Sequence, residues 1–350
     1  MISFLSRHLI LLCLIAPAAT AAYADGVVIT AVGDIMLAGS GSRTLAQQGL
    51  DHAFGGTVGE LRKGDILVGN LEAPITTAGV EFSGKKFRFR TRPETAEILS
   101  RIGFSVLTLA NNHIMDFGAG GLSDTLRYLD RAGIRHAGAG TTLSEARREA
   151  LVQVKGKRVA FLAYSLTYPE EFFARRDRPG TAPGLDASIR EDVGRMRPAA
   201  DYVVVSVHWG AEGKGFPKAY QQRVARVAID AGADLVLGHH PHVLQGVERY
   251  RGRTIFYSLG NFTFGSRSVV ADRSMIARIT LNGVDQRADI VPINVLNSEV
   301  RFRPTVLAGG RAQEVIQRIN RLSEPFNTRL IASGGGFMVQ ETRTAAGYGR

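Results

Sequence analysis

Apolar, β-branched runs recur along this chain and carry Gly, Asn or His at or near their ends: Val27 to Met36, Asp65 to Glu72, Val106 to His113, Tyr202 to Gly210 and Leu235 to His242. Runs of this length bounded by turn residues predict strands with both faces buried. Between them the apolar positions take helical spacing, which predicts helices over Pro93 to Ile102, Gly120 to Ala132, Ile189 to Met196 and Ala219 to Ala231. Strand and helix in alternation predict an α/β fold. Two segments, Val154-Lys155-Gly156-Lys157-Arg158 and Arg249-Tyr250-Arg251-Gly252-Arg253, read as hairpin turns, so the sheets are expected to be mixed. Tyr168 to Leu185, rich in Pro, Arg and acids, interrupts the pattern and is expected to form a long loop or lid near the site. Strand character returns from Ser274 to Val306, a helix is predicted over Gln313 to Leu322, and the Gly-rich stretch from Ser333 predicts a flexible tail.

The first residues place Arg7 and His8 before a short apolar run that closes on Ala22-Tyr23-Ala24. That is the signature of a secretory signal peptide, with cleavage expected after Ala24. The run falls short of the roughly 18 to 20 residues of a spanning helix, and an uncleaved N-terminal anchor is the alternative. Both predict export, to the periplasm or beyond. Cys13, the only cysteine, lies inside this segment. The mature chain is therefore expected to bind any metal through nitrogen and oxygen alone. Leu11-Leu12-Cys13-Leu14 has large neighbours around the cysteine, which argues against a lipoprotein anchor.

Charge narrows the choice of partner. The formal net charge is +11, and removing Arg7 with the leader still leaves a strongly basic protein. A phosphoester, an acidic polymer or a membrane surface suits that sign. Nucleic acid is not an expected partner, because the basic residues are scattered instead of interleaved with aromatics.

The candidate chemistry lies where the strands end. Gly33-Asp34, Gly69-Asn70-Leu71-Glu72, Asn111-Asn112-His113, His208-Trp209-Gly210 and Gly238-His239-His240-Pro241-His242 all close apolar runs, and five of the eight histidines fall among them. Binding crevices of α/β sheets form at strand carboxyl ends. Five such ends could therefore converge on a pair of divalent ions. His240 and His242, two apart in an extended segment, would project to one side, with Pro241 restricting the backbone between them. Each position also has a plainer reading. Asp34 could sit in a turn, Asn112 and His113 could cap a helix, and His208 or His239 could be satisfied core histidines. Glu72 is harder to dismiss, since a buried acid needs a cation or a donor.

Six motifs in order, Gly-Asp-Ile-Met-Leu, Gly-Asn-Leu-Glu, Ala-Asn-Asn-His, His-Trp-Gly, Gly-His-His-Pro-His and Ser-Leu-Gly-Asn-Phe, span roughly residues 27 to 265. With them the chain resembles the CapA family, bacterial capsule-synthesis proteins linked to poly-γ-glutamate and similar to calcineurin-like metallophosphatases. The resemblance implies a four-layer sandwich of two mixed β-sheets flanked by helices. The expected division of the chain is a signal peptide over 1–24, this domain over 25–308, a helix over 309–332 and a flexible tail over 333–350. The resemblance also implies Asp34 and His242 as ligands of one metal, Asn112, His208 and His240 as ligands of a second, and Glu72 as the bridge, for one or two divalent ions (Mn, Zn or Fe). His113 then becomes the acid for the leaving group, with Asp116 orienting it or serving only as a first-turn acid, and Asn70 and Asn261 become substrate-binding positions. Met36 departs from the pattern, standing where metallophosphatases carry a ligand histidine, and leaves one metal position short. The implied function is metal-dependent hydrolysis or transfer at a phosphoester or γ-glutamyl bond in envelope-polymer metabolism, beside membrane-bound capsule-synthesis proteins. The rival is a non-catalytic accessory that holds an acidic polymer.

Overall fold

A computed structural model describes residues 26–334 and 336–342. The expected leader, its cleavage point and Cys13 lie outside the described residues. No helix among them is long and apolar enough to cross a membrane.

Two sheets carry the fold. One runs in the order Thr328–Ser333, Gly336–Glu341, Asp285–Asn294, Arg273–Asn282, Val27–Met36, Ile66–Leu71, Phe104–Thr108, Arg135–Ala137, with Asn261–Phe264 paired parallel to Val27–Met36. The other runs Val247–Tyr250, Arg253–Phe256, Leu235–His239, Tyr202–His208, Lys157–Ser165, Ala150–Val154. Both are mixed: parallel strands lie at the centre of the second sheet and antiparallel hairpins close its edges.

Side chains alternate across each strand. In Tyr202–His208, Tyr202 and Val204 face the space between the sheets, while Val203, Val205 and Val207 face outward under helices. Ile66 and Val68 likewise face inward, and Leu67 and Leu71 outward. Both faces are apolar because both are covered, and each fully buried Val or Leu contributes about 1.5–3 kcal/mol. Glu94–Ile102 and Gly118–Arg131 cover the first sheet through Leu99, Leu122 and Leu129. Asp186–Met196 and Ala219–Asp230 cover the second through Ile189, Val193, Val224 and Ala228. The four layers are therefore helix, sheet, sheet, helix.

Three expectations change. Within the expected loose tail, Gly336–Glu341 is a strand, paired with Thr328–Ser333 and with Asp289 and Ile290, while residues 343–350 lie outside the described residues. The chain from 309 does not stand apart. Gly309–Ser323 inserts Ala312, Val315, Ile316 and Ile319 into the core between the sheets, so the domain extends past residue 308. The segment Tyr168 to Leu185 is the expected long loop near the site, with Phe172 under the Lys85 ammonium at 5.3 Å, but it is packed down instead of standing free as a lid. Its Phe172, Ala174 and Ala182 are buried, and Phe172 packs edge-on against Phe82 with ring centroids 4.9 Å apart. That segment thus supports a different loop, residues 74–92.

Candidate metal centre

The carboxyl ends of Val27–Met36, Ile66–Leu71, Phe104–Thr108, Tyr202–His208 and Leu235–His239 deliver their polar residues to one place. Asp34 sits at a register shift against both neighbouring strands, which breaks the ladder where the carboxylate turns inward. Asn112 and His113 lie in a loop after the strand has ended at Thr108. Asn111 shapes that loop: its Oδ1 accepts from the backbone N–H of His113 and Ile114, and its Nδ2 donates to Leu71 O.

Two sets of donor atoms result. In one, His208 Nε2 lies 2.9 Å from Asn112 Oδ1, 3.1 Å from His240 Nδ1 and 3.5 Å from Glu72 Oε1. In the other, His242 Nδ1 lies 3.2 Å from Asp34 Oδ2, and His242 Nε2 lies 3.8 Å from Glu72 Oε1. Glu72 Oε1 belongs to both. It is buried without a hydrogen-bond partner, a costly state that a cation would relieve. Donors each about 2.1 Å from a common ion stand about 3 Å apart. The residues present therefore fit one or two divalent ions held by nitrogen and oxygen.

Electrostatics agree. Burial pushes the Glu72 carboxyl well above the usual range, and the charge of Asp34 beside it adds to the effect. Burial acts to raise Asp34 as well, but contacts and charges from His239 and His242 outweigh it and hold Asp34 well below the usual range. Burial, then the charges of neighbouring histidines, holds His208 well below its ordinary value and brings His240 down to about 3. Neutral imidazoles are the form that binds metal.

These shifts set a pH dependence for the metal-free chain. His113, His208 and His240 all titrate lower folded than unfolded, so the stability they confer above about pH 6.5 is lost as the pH falls through that value. Glu72 has the opposite sign, since a raised carboxyl favours the folded state at low pH. Three groups oppose one. Urea unfolding of metal-stripped protein is expected to show about 1–3 kcal/mol less stability at about pH 5 than at about pH 7.5, and an unchanged or higher midpoint at the acid pH would contradict this balance.

His113 stands at the rim. Its Nδ1 lies 2.6 Å from Asp116 Oδ2, and Asp116 is fully buried. Lys85 Nζ donates to Asp116 Oδ1 at 2.6 Å and to Asn112 O, and the Phe89 N–H donates to Asp116 Oδ2 at 2.8 Å. Lys85 and Phe89 come from the loop over residues 74–92. Above the centre opens a cleft of about 550 Å³ whose lining includes Phe89, His113, Glu212, His242, Asn261 and Phe264.

Nearly every sequence candidate is in this cluster. Asn70 corrects its assignment: only 1% exposed, it donates from Nδ2 to Asp34 Oδ1 at 2.8 Å and accepts at Oδ1 from Asn111. It holds ligands from below and does not face the cleft. His240 and His242 reach the centre by another route than an extended segment, since both have positive φ (91° and 60°) in a tight turn. Sequence reasoning missed Lys85, one cation among several in Lys85-Lys86-Phe87-Arg88, and left undecided His239, whose Nδ1 lies 3.2 Å from Asp34 Oδ1. It also missed Glu212, an exposed acid able to reach His240 and His242. Its place two residues after Trp209-Gly210 was the available signal.

The family model described as bacterial capsule synthesis protein PGA_cap matches residues 28–266. The chain belongs to this family. It is 35% identical over 278 residues to the PGA biosynthesis protein CapA of Bacillus subtilis, covering 78% of this chain and 73% of that one. It is 32% identical to the capsule biosynthesis protein CapA of Bacillus anthracis, over 76% of this chain and 67% of that one. A probable polyglutamine synthesis accessory protein of Mycobacterium tuberculosis is 39% identical over 209 residues, and the match spans 55% of that protein and 56% of this chain. Among solved structures, the NAD nucleotidase of Haemophilus influenzae aligns with a TM-score of 0.48 at 12% identity, over 83% of this chain and 62% of that one.

Proposed function

We propose that this exported PGA_cap protein is a metal-dependent hydrolase or transferase that acts on a phosphoester or γ-glutamyl bond during synthesis of an anionic envelope polymer. The observation that carries the reading is the sharing of Glu72 Oε1 by two donor sets beneath one cleft. Divalent ions bound there would supply an activated water and charge stabilisation at the attacked centre. The chain's own residues supply the rest. Asp116 Oδ2 and Lys85 Nζ both hold His113 Nδ1, at 2.6 and 3.0 Å, so Nε2 is the ring nitrogen left free to carry a proton to the departing group. Lys85 compensates the buried charge of Asp116, which keeps that pair in place. The basic net charge favours the approach of an acidic substrate, and the names of the Bacillus relatives point to capsule and PGA synthesis.

A second reading, an accessory that binds the polymer without turnover, is favoured by one observation: Met36 stands where a ligand histidine would be expected. Mature protein loaded with Mn²⁺ or Zn²⁺ separates the two. Turnover of a chromogenic phosphodiester or of poly-γ-glutamate is expected, falling about 10²- to 10⁴-fold in His113→Ala at unchanged metal content. Polymer binding with no metal-dependent turnover would instead establish the accessory.

A further inference from the structure

Resting on that reading, we infer that Asn261 is a metal ligand, its side-chain oxygen completing the position that Met36 leaves short. Three observations place it there. Asn261 opens the strand Asn261–Phe264, which runs parallel beside Val27–Met36, and it is the direct partner of Asp34 in the register. Its Oδ1 lies 2.9 Å from His242 Nδ1, which is itself 3.2 Å from Asp34 Oδ2. These separations repeat those of the other donor set, where Asn112 Oδ1 lies 2.9 Å and His240 Nδ1 3.1 Å from His208 Nε2. Each set thus holds one carboxamide oxygen 2.9 Å from an imidazole nitrogen. Asn261 is also 4% exposed, buried like a ligand, although it lines the cleft. Glu212, the other acceptor near His242, is exposed and groups with His240 and His242, not with Asp34.

The consequence is chemical. The side facing Met36 offers oxygens from Asp34, Asn261 and Glu72 with one imidazole, whereas the other offers two imidazoles with two oxygens. An oxygen-rich position suits a harder ion such as Mn²⁺, and a nitrogen-rich one suits Zn²⁺ or Fe²⁺.

Calorimetric Mn²⁺ titration of the metal-stripped mature chain, with metal analysis after desalting, tests the assignment. Wild type is expected to take two ions. Asn261→Ala is expected to keep one at wild-type affinity and weaken the other about thirtyfold or more, and Met36→His in the Asn261→Ala background is expected to restore the second, because a ligand returns to the same position. Asn261→Asp, which preserves the shape should the alanine variant not fold, is expected to bind the second ion more tightly than wild type. Two ions bound at wild-type affinity by Asn261→Ala, simultaneous loss of both ions in that variant, or unchanged affinity in Asn261→Asp would each overturn the assignment while leaving the metal reading intact. A wild-type chain that takes up no ion would instead remove the reading on which it rests.

Discussion

Replacing Glu72 with Gln is expected to abolish paired metal uptake and, at the same time, to make the metal-free protein more stable. Both effects come from one atom. Glu72 Oε1 lies 3.5 Å from His208 Nε2 and 3.8 Å from His242 Nε2, so it serves both donor sets, and an amide cannot replace a bridging anion. Without metal, that carboxyl is buried beside Asp34 with Oε1 unpaired, and its raised pKa means stability is lost as the pH rises above its unfolded value near 4.5. Removing the charge at neutral pH is expected to recover about 1–3 kcal/mol. Thermal melts with and without Mn²⁺ or Zn²⁺ check both halves: the metal-induced rise in Tm disappears, while the metal-free Tm exceeds that of wild type. A metal-free variant less stable than wild type would show that Glu72 is satisfied by other means. The stability cost at this position is the usual one for a site built for charge.

Gly33→Ala is expected to be among the most damaging small substitutions in the chain. A Cβ at residue 33 would lie 1.8 Å from the carbonyl oxygen of Gly260 and 2.8 Å from its carbon, and backbone cannot swing aside as a flexible side chain can. The close approach exists because the Asp34 N–H donates to that same oxygen at 3.0 Å, locking the strand that carries Asp34 against the one that carries Asn261. Overpacking here is expected to cost about 3 kcal/mol or more and to weaken metal binding together with stability. Gly194→Ala serves as the control. It lies inside the helix Asp186–Met196 with nothing within 4 Å of its added Cβ, so a gain of about 0.5–1 kcal/mol is expected. Urea midpoints for the two variants should move in opposite directions; equal, small shifts would show that the contact at Gly33 relaxes freely.

Much of the site was legible because its residues terminate apolar runs. A carboxylate or imidazole after Val203-Val204-Val205 or Ile66-Leu67-Val68 marks the end of a strand, and strand ends in an α/β fold share a crevice. Distant partners were less legible. Lys85 looks like its neighbour Lys86, and only the path of the loop over residues 74–92 brings its ammonium to Asp116. Asn70 carries the same carboxamide whether it faces substrate or supports Asp34, and only packing separates those roles. The Gly-rich end read as flexible because the glycines at 334–336 mask the short apolar run Phe337-Met338-Val339, yet pairing with Asp285–Asn294 orders Gly336–Glu341 from outside its own sequence.

By itself the sequence determined the element types, the mixed α/β class and the nitrogen and oxygen chemistry of the centre, since periodicity and side-chain identity are local properties. Tertiary structure alone decided which donor atoms stand within reach of one another, which acid is left unpaired, and that Asn261 stands beside Asp34. Those facts depend on register between strands more than two hundred residues apart, and a shift of one residue there would turn every side chain to the opposite face.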